Sequence, residues 1–62
     1  MRRYYQKRTR SLESFIRTNR AEIDKVVEAE HDVRPVNDDE RWEWVLNNVN
    51  LYSWAQAEGV SI

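Results

Sequence analysis

The sequence predicts an all-α fold, a helical hairpin with a short third helix folded across it and a basic N-terminal arm. Composition and pattern both lead there. The 62 residues hold a single Gly and a single Pro, too little punctuation for the turns of a multi-stranded sheet. The apolar residues recur at the three-and-four spacing of one helical face, and Ser11, Asn37 and Asn50 stand before such stretches as capping residues do. The division that follows is an arm at residues 1–10 and one small helical domain at residues 11–62.

The first helix is expected to start near Ser11, whose hydroxyl can accept from the free amides of the first turn, with Glu13 set against the positive end of the dipole. Leu12, Phe15, Ile16, Ile23, Val26 and Val27 share one face as far as about Glu30. Asn19 interrupts that stripe. Asn19 and Glu22 have the spacing of a capping box, which would open a second helix. The stripe keeps its phase across Asn19, however, and the expectation is one continuous helix. Val33, Arg34 and Pro35 end it, because proline lacks an amide hydrogen and disfavours a helical conformation for the residue before it.

Asn37 opens the next helix, with Glu40 three residues on and Asp38 and Asp39 in the first turn. Its inward stripe is expected to be Trp42, Val45, Leu46 and Val49. The cluster Asn47, Asn48, Asn50 breaks or kinks this helix, and Asn50 is expected to cap a last one from Leu51 to Glu58 that turns Leu51, Trp54 and Ala55 inward. Gly59 sits where a left-handed C-cap residue belongs, followed by Val60 for the accompanying apolar contact. No internal repeat or low-complexity run is present.

A chain of this length buries only about 60% of the surface its unfolded form exposes, so its stability is marginal without a staple or a partner. With no Cys, disulfides and Cys-based zinc sites are excluded. There is no apolar run of about 18 residues to span a bilayer, and the basic start lacks the apolar core of a signal peptide. A cytoplasmic protein without membrane association is expected.

The near-neutral net charge of −1 is a cancellation. Residues 1–20 carry seven Lys and Arg against Glu13 alone, a net of +6, and residues 21–62 carry three cations against ten acids, a net of −7. Such a dipole serves either a basic arm that reaches a polyanion or one that folds back on the acidic half. Arg2, Arg3, Tyr4, Tyr5, Lys7, Arg8 and Arg10 combine cations for phosphate with rings that stack on unpaired bases. They make the chain a candidate nucleic-acid accessory protein.

Other chemistry is thinly represented. Glu28 and His31 have the Glu-x-x-His relation used in di-iron bundles, but those sites need two such motifs and this chain has one His. Near a helix C-terminus, His31 is more simply a residue favoured by the dipole when protonated. Ser11, Ser14, Ser53 and Ser61 sit in no nucleophile elbow, and no Gly-rich phosphate loop exists. A chain this short does not readily enclose a small-molecule pocket. The expectation is a protein that is not an enzyme and holds neither metal nor cofactor.

Trp42 and Trp44 stand two residues apart and so point about 200° away from one another on a helix. With Trp42 inward, Trp44 shares an outer face with Arg41 and Asn48, and Tyr52 extends it. Exposed Trp is favoured at interface hot spots. Arg41, Trp44, Asn48 and Tyr52 are therefore the candidate surface for a protein partner or for self-association as a homodimer. The alternative is internal packing of Trp44 beneath the arm's tyrosines or an arginine.

Two resemblances bear on function. Trp54, Ala55, Gln56, Ala57, Glu58, Gly59, Val60 and Ser61 resemble the first helix and turn of a helix-turn-helix reader, whose recognition helix of roughly ten residues must follow the turn. Only Ile62 follows Ser61, so this run is expected to be a helix C-cap. The stretch from Glu40 to Gly59, through Arg41, Trp44, Val45, Leu46, Asn47, Leu51, Tyr52, Trp54 and Ala55, resembles small uncharacterised helical proteins of bacteriophages and mobile elements. That resemblance spans about a third of the chain. It implies a host-cytoplasm setting and a role in binding a host protein or accompanying nucleic acid, and it brings no catalytic residues.

Overall fold

The computed structural model describes residues 9–62, and within them the protein is all-α. Four helices follow one another: α1 (Arg10–Thr18), α2 (Arg20–His31), α3 (Asp38–Asn47) and α4 (Val49–Ala57). Arg2, Arg3, Tyr4, Tyr5, Lys7 and Arg8 of the predicted arm lie outside the described residues.

Thr9, not Ser11, caps α1. Its backbone is extended (φ −85°, ψ 162°) and its hydroxyl accepts from the Leu12 amide at 3.1 Å. The expected start was late because two hydroxyl residues compete for the cap, and Ser11 is used elsewhere: its Oγ accepts from the Ser61 amide at 3.0 Å. The Thr9 hydroxyl also donates to the Ser61 carbonyl at 3.0 Å. Both ends of the described chain are thus tied together.

The single long first helix is corrected to two. Asn19 leaves helical geometry (φ −116°, ψ 26°), and its amide is shared between the Phe15 and Ile16 carbonyls at 3.0 and 3.3 Å while its side-chain Nδ2 donates to the Phe15 carbonyl at 2.9 Å. An Asn side chain that competes for backbone partners in this way is why the residue is poor in a helix interior. The Asn19 carbonyl nevertheless accepts from Ile23 at 2.9 Å, so the apolar stripe continues across the break. A helix end and a continuous stripe therefore coexist.

Asp32 ends α2 in the left-handed region (φ 59°), a conformation that Asp tolerates better than most residues. The segment through Pro35 then leads to Asn37, whose Oδ1 accepts from the Glu40 amide at 2.9 Å as the sequence predicts. The reciprocal half of the box is displaced by one residue, since Glu40 Oε1 accepts from the Val36 amide at 3.1 Å.

Asn48, rather than Asn50, separates α3 from α4. Its extended backbone (ψ 121°) stops α3, and its Oδ1 accepts from both Asn50 and Leu51 amides at 3.0 Å. That break moves Val49 from the expected inward stripe to the surface, where it is 76% exposed. After Glu58, Gly59 turns left-handed (φ 86°), the Gly59 amide bonds the Gln56 carbonyl and the Val60 amide bonds Ala55, each at 3.0 Å. This paired closure uses carbonyls the helix end would otherwise leave open.

The core draws on every helix: Leu12, Phe15 and Ile16 from α1, Ile23 and Val27 from α2, Val45 from α3, Leu51 and Ala55 from α4. Helix α3 packs against each of the other three. Trp54 closes one side edge-on to Phe15, with ring centroids 4.9 Å apart at 72°. No helix among the described residues is long and apolar enough to cross a membrane.

Candidate functional site

The seam between α2 and α3 is polar and fully engaged. Arg41 reaches across it with Nε and Nη2 on the two carboxylate oxygens of Asp24, at 2.8 and 2.9 Å, and turns Nη1 to Asp38 at 2.7 Å. Arg20 grips the same Asp38 with Nε at 3.0 Å and Nη2 at 2.7 Å. Two-pronged guanidinium–carboxylate pairs are the stronger kind. The hydrogen bond from Arg20 does most to hold the Asp38 carboxyl down at about 2, and the bond to Asp24 does most to push the Arg41 guanidinium further up.

Asn48 is the seam's other polar anchor. While its Oδ1 caps α4, its Nδ2 donates to Glu30 Oε1 at 2.8 Å, and Asn50 Nδ2 donates to Glu30 Oε2 at 2.8 Å. Those two bonds, Asn48 first, hold the Glu30 carboxyl below its ordinary range. A single carboxylate thus tethers the end of α2 to the start of α4.

This placement changes the meaning of the predicted surface. Arg41, with its side chain 13% exposed, and Asn48, at 7%, face α2 rather than solvent. The outer-face reading of those two residues is corrected, and the cause is tertiary: Asp24 and Glu30 stand across the seam, so polar side chains turn inward there. The break at Asn48 also puts Tyr52 on a different helix, where it is half-buried. Arg41, Trp44, Asn48 and Tyr52 do not form one face.

Trp44 is what remains. Its ring stacks on His31 with centroids 4.6 Å apart and a tilt of 38°, and His31 Nε2 lies 3.9 Å from Glu30 Oε1. Held by this stack, Trp44 lines an open recess of about 460 Å³ together with Val33, Arg34, Glu40, Glu43 and Asn47. The volume falls in the range of about 300–1,000 Å³ seen for binding pockets, although this one is a groove and not an enclosure. Val33 and Val36, 47% and 76% exposed, add apolar surface on the α2–α3 connection. The Glu40 carboxylate on the rim is fixed by its bond to the Val36 amide.

Sequence reasoning found Trp44 but missed Val33, Arg34, Glu40, Glu43 and Asn47. A signal existed for two of them, Glu40 and Asn47, since positions four before and three after Trp44 border it on a helix. Val33 carried no such signal, because its place beside Trp44 depends on how the connection folds back.

Of the remaining candidates, Arg10 opens α1 and is exposed. Glu28 pairs with Arg34 at 3.4 Å while His31 faces Trp44, and among the described residues no group of three or more His, Asp or Glu side chains is placed to hold a metal ion. Ser11 is bound to the Ser61 backbone. Comparison of the chain with known protein families, with curated proteins and with solved structures finds no match in any of the three.

Proposed function

We propose that this protein is a non-enzymatic interaction module, of the kind carried by phages and mobile elements, that docks a protein partner in the recess beside Trp44. The observation that supports this reading is the open recess itself, where an indole and the Val33 side chain meet the Glu40 carboxylate and the Arg34 guanidinium. The partner it suits is a segment with an apolar or aromatic side chain flanked by Lys or Arg. The apolar group takes the indole and a flanking cation meets Glu40. The size of the domain agrees, because a marginal core gains from surface buried against a partner. Self-association through the same recess is the homodimeric form of this reading.

Capture from nuclease-treated host lysate tests it, with the full chain compared against Trp44→Ala and Val33→Glu. The expected result is a protein retained by the full chain and lost with both variants. Equal retention by all three removes the recess as the docking surface. Light scattering on the chain alone across a wide concentration range tests the homodimer, and a mass that stays monomeric excludes it.

A further inference from the structure

The cations of the folded domain sort into two sets. Arg20, Arg34 and Arg41 are each consumed by a carboxylate, on Asp38, Glu28 and the Asp24–Asp38 pair. Arg10, Arg17 and Lys25 are exposed and make no ion pair among the described residues. Two of these, Arg10 and Arg17, belong to α1, where Glu13 is the single acid.

At 100° per residue, Arg10, Ser14 and Arg17 fall within an arc of about 60°, on the side of α1 away from Leu12, Phe15 and Ile16. All three are exposed while the latter three are buried. Seven residues at a rise of about 1.5 Å separate the two guanidinium-bearing positions by roughly 10 Å along the axis. That length matches the rise of about three phosphates along one strand of duplex DNA, and the Ser14 hydroxyl between them is a further phosphate donor. The stripe is also continuous in sequence with Arg2, Arg3, Lys7 and Arg8. Of the acids beside this face, Asp38 already accepts from two arginines, while Glu13 and Glu58 stand at its edges beside Arg17 and Ser14.

From this complementarity we infer that the outer face of α1, through Arg10, Ser14 and Arg17, binds the sugar–phosphate backbone of nucleic acid. This surface shares no residue with the Trp44 recess, so the protein that docks a partner on one surface carries a polyanion on another. The contact is sequence-independent. It places part of the phosphate-binding function in the folded domain rather than in the preceding basic run alone.

The test is fluorescence anisotropy of a labelled DNA duplex of about 20 base pairs, and of one of its strands, titrated with the full chain between about 50 and 200 mM salt. Binding that weakens steeply with salt is expected. The double variant Arg10→Gln/Arg17→Gln loses two phosphate contacts, so its salt-dependent loss of affinity across that range shrinks about tenfold relative to the unaltered chain. Glu13→Gln, which removes the flanking acid, binds more tightly. Circular dichroism checks that the exposed substitutions leave the helices intact. No binding of either DNA form at about 50 mM salt overturns the inference, and so does a double variant whose affinity and salt slope match the full chain.

Discussion

Replacing Asn48 by Ala perturbs two things at once, and their sizes follow from the geometry. The Oδ1 that accepts from Asn50 and Leu51 at 3.0 Å disappears, and loss of such a cap costs about 1 kcal/mol. The Nδ2 bond to Glu30 at 2.8 Å goes as well. A hydrogen bond to a charged group contributes about 1.5–3 kcal/mol, and the lower end applies here because Glu30 is exposed enough to regain water. The sum is about 2–3 kcal/mol. Against a total of roughly 3–9 kcal/mol for a chain of this length, it lowers the midpoint of thermal unfolding by about 10–20 °C.

Asn48→Asp separates the two effects. The cap acceptor survives, but a second carboxylate now faces Glu30. This variant is therefore destabilised at neutral pH and regains stability as acid protonates one of the pair. Urea unfolding followed by circular dichroism at pH 7 and near pH 4, for both variants and for each combined with Glu30→Gln, measures the coupling directly. The reasoning fails if Asn48→Ala lies within about 0.5 kcal/mol of the unaltered chain, or if Asn48→Asp shows no recovery in acid.

Two further outcomes follow from the same structure. Because Asp38 is held at about 2 and Glu30 is also lowered, their contributions are complete above the ordinary carboxylate range and disappear as the pH falls towards the depressed values. The urea midpoint is thus flat from pH 7 to about 5 and declines towards pH 2. After allowance for solvent screening, the Asp38 share is about 1 kcal/mol and shrinks in Arg20→Ala, where Arg41 Nη1 still bonds the carboxylate. Gly59→Ala meets no atom within 4 Å of the added carbon, so its whole cost is the left-handed backbone (φ 86°). That is about 1 kcal/mol, and a clash-sized loss in calorimetry would contradict it.

How much of this was legible in the sequence depends on whether a residue's partners lie within its own helix turn. The Asn37 cap and the Gly59 closure were read correctly because their partners sit three to five residues away. Asn19 misled because periodicity records which face is buried and not whether the backbone is continuous beneath it. Asn48 was recognised as part of a breaking cluster, yet the cap went to Asn50, since both precede apolar residues and both reach Glu30, and only the extended backbone at Asn48 distinguishes them. The same applies to the functional surface. Trp44 was identified from its spacing to Trp42, but Arg41 points to solvent or to the seam according to where Asp24 lies, seventeen positions away. That fact belongs to the fold and not to the local pattern.

The clasp of Thr9 and Ser11 on Ser61 makes the four helices a nearly closed ring. Its beginning and end are neighbours, so the order in which the helices are threaded is incidental to how they pack. A short Gly-Ser bridge from Ile62 to Thr9, in a chain without residues 1–8 and reopened at the exposed Val33, keeps the core residues of all four helices while relocating both ends of the described segment. Such a rearranged chain carries its termini beside the Trp44 recess, which moves any label or tether from the α1 side of the molecule to the partner-facing side.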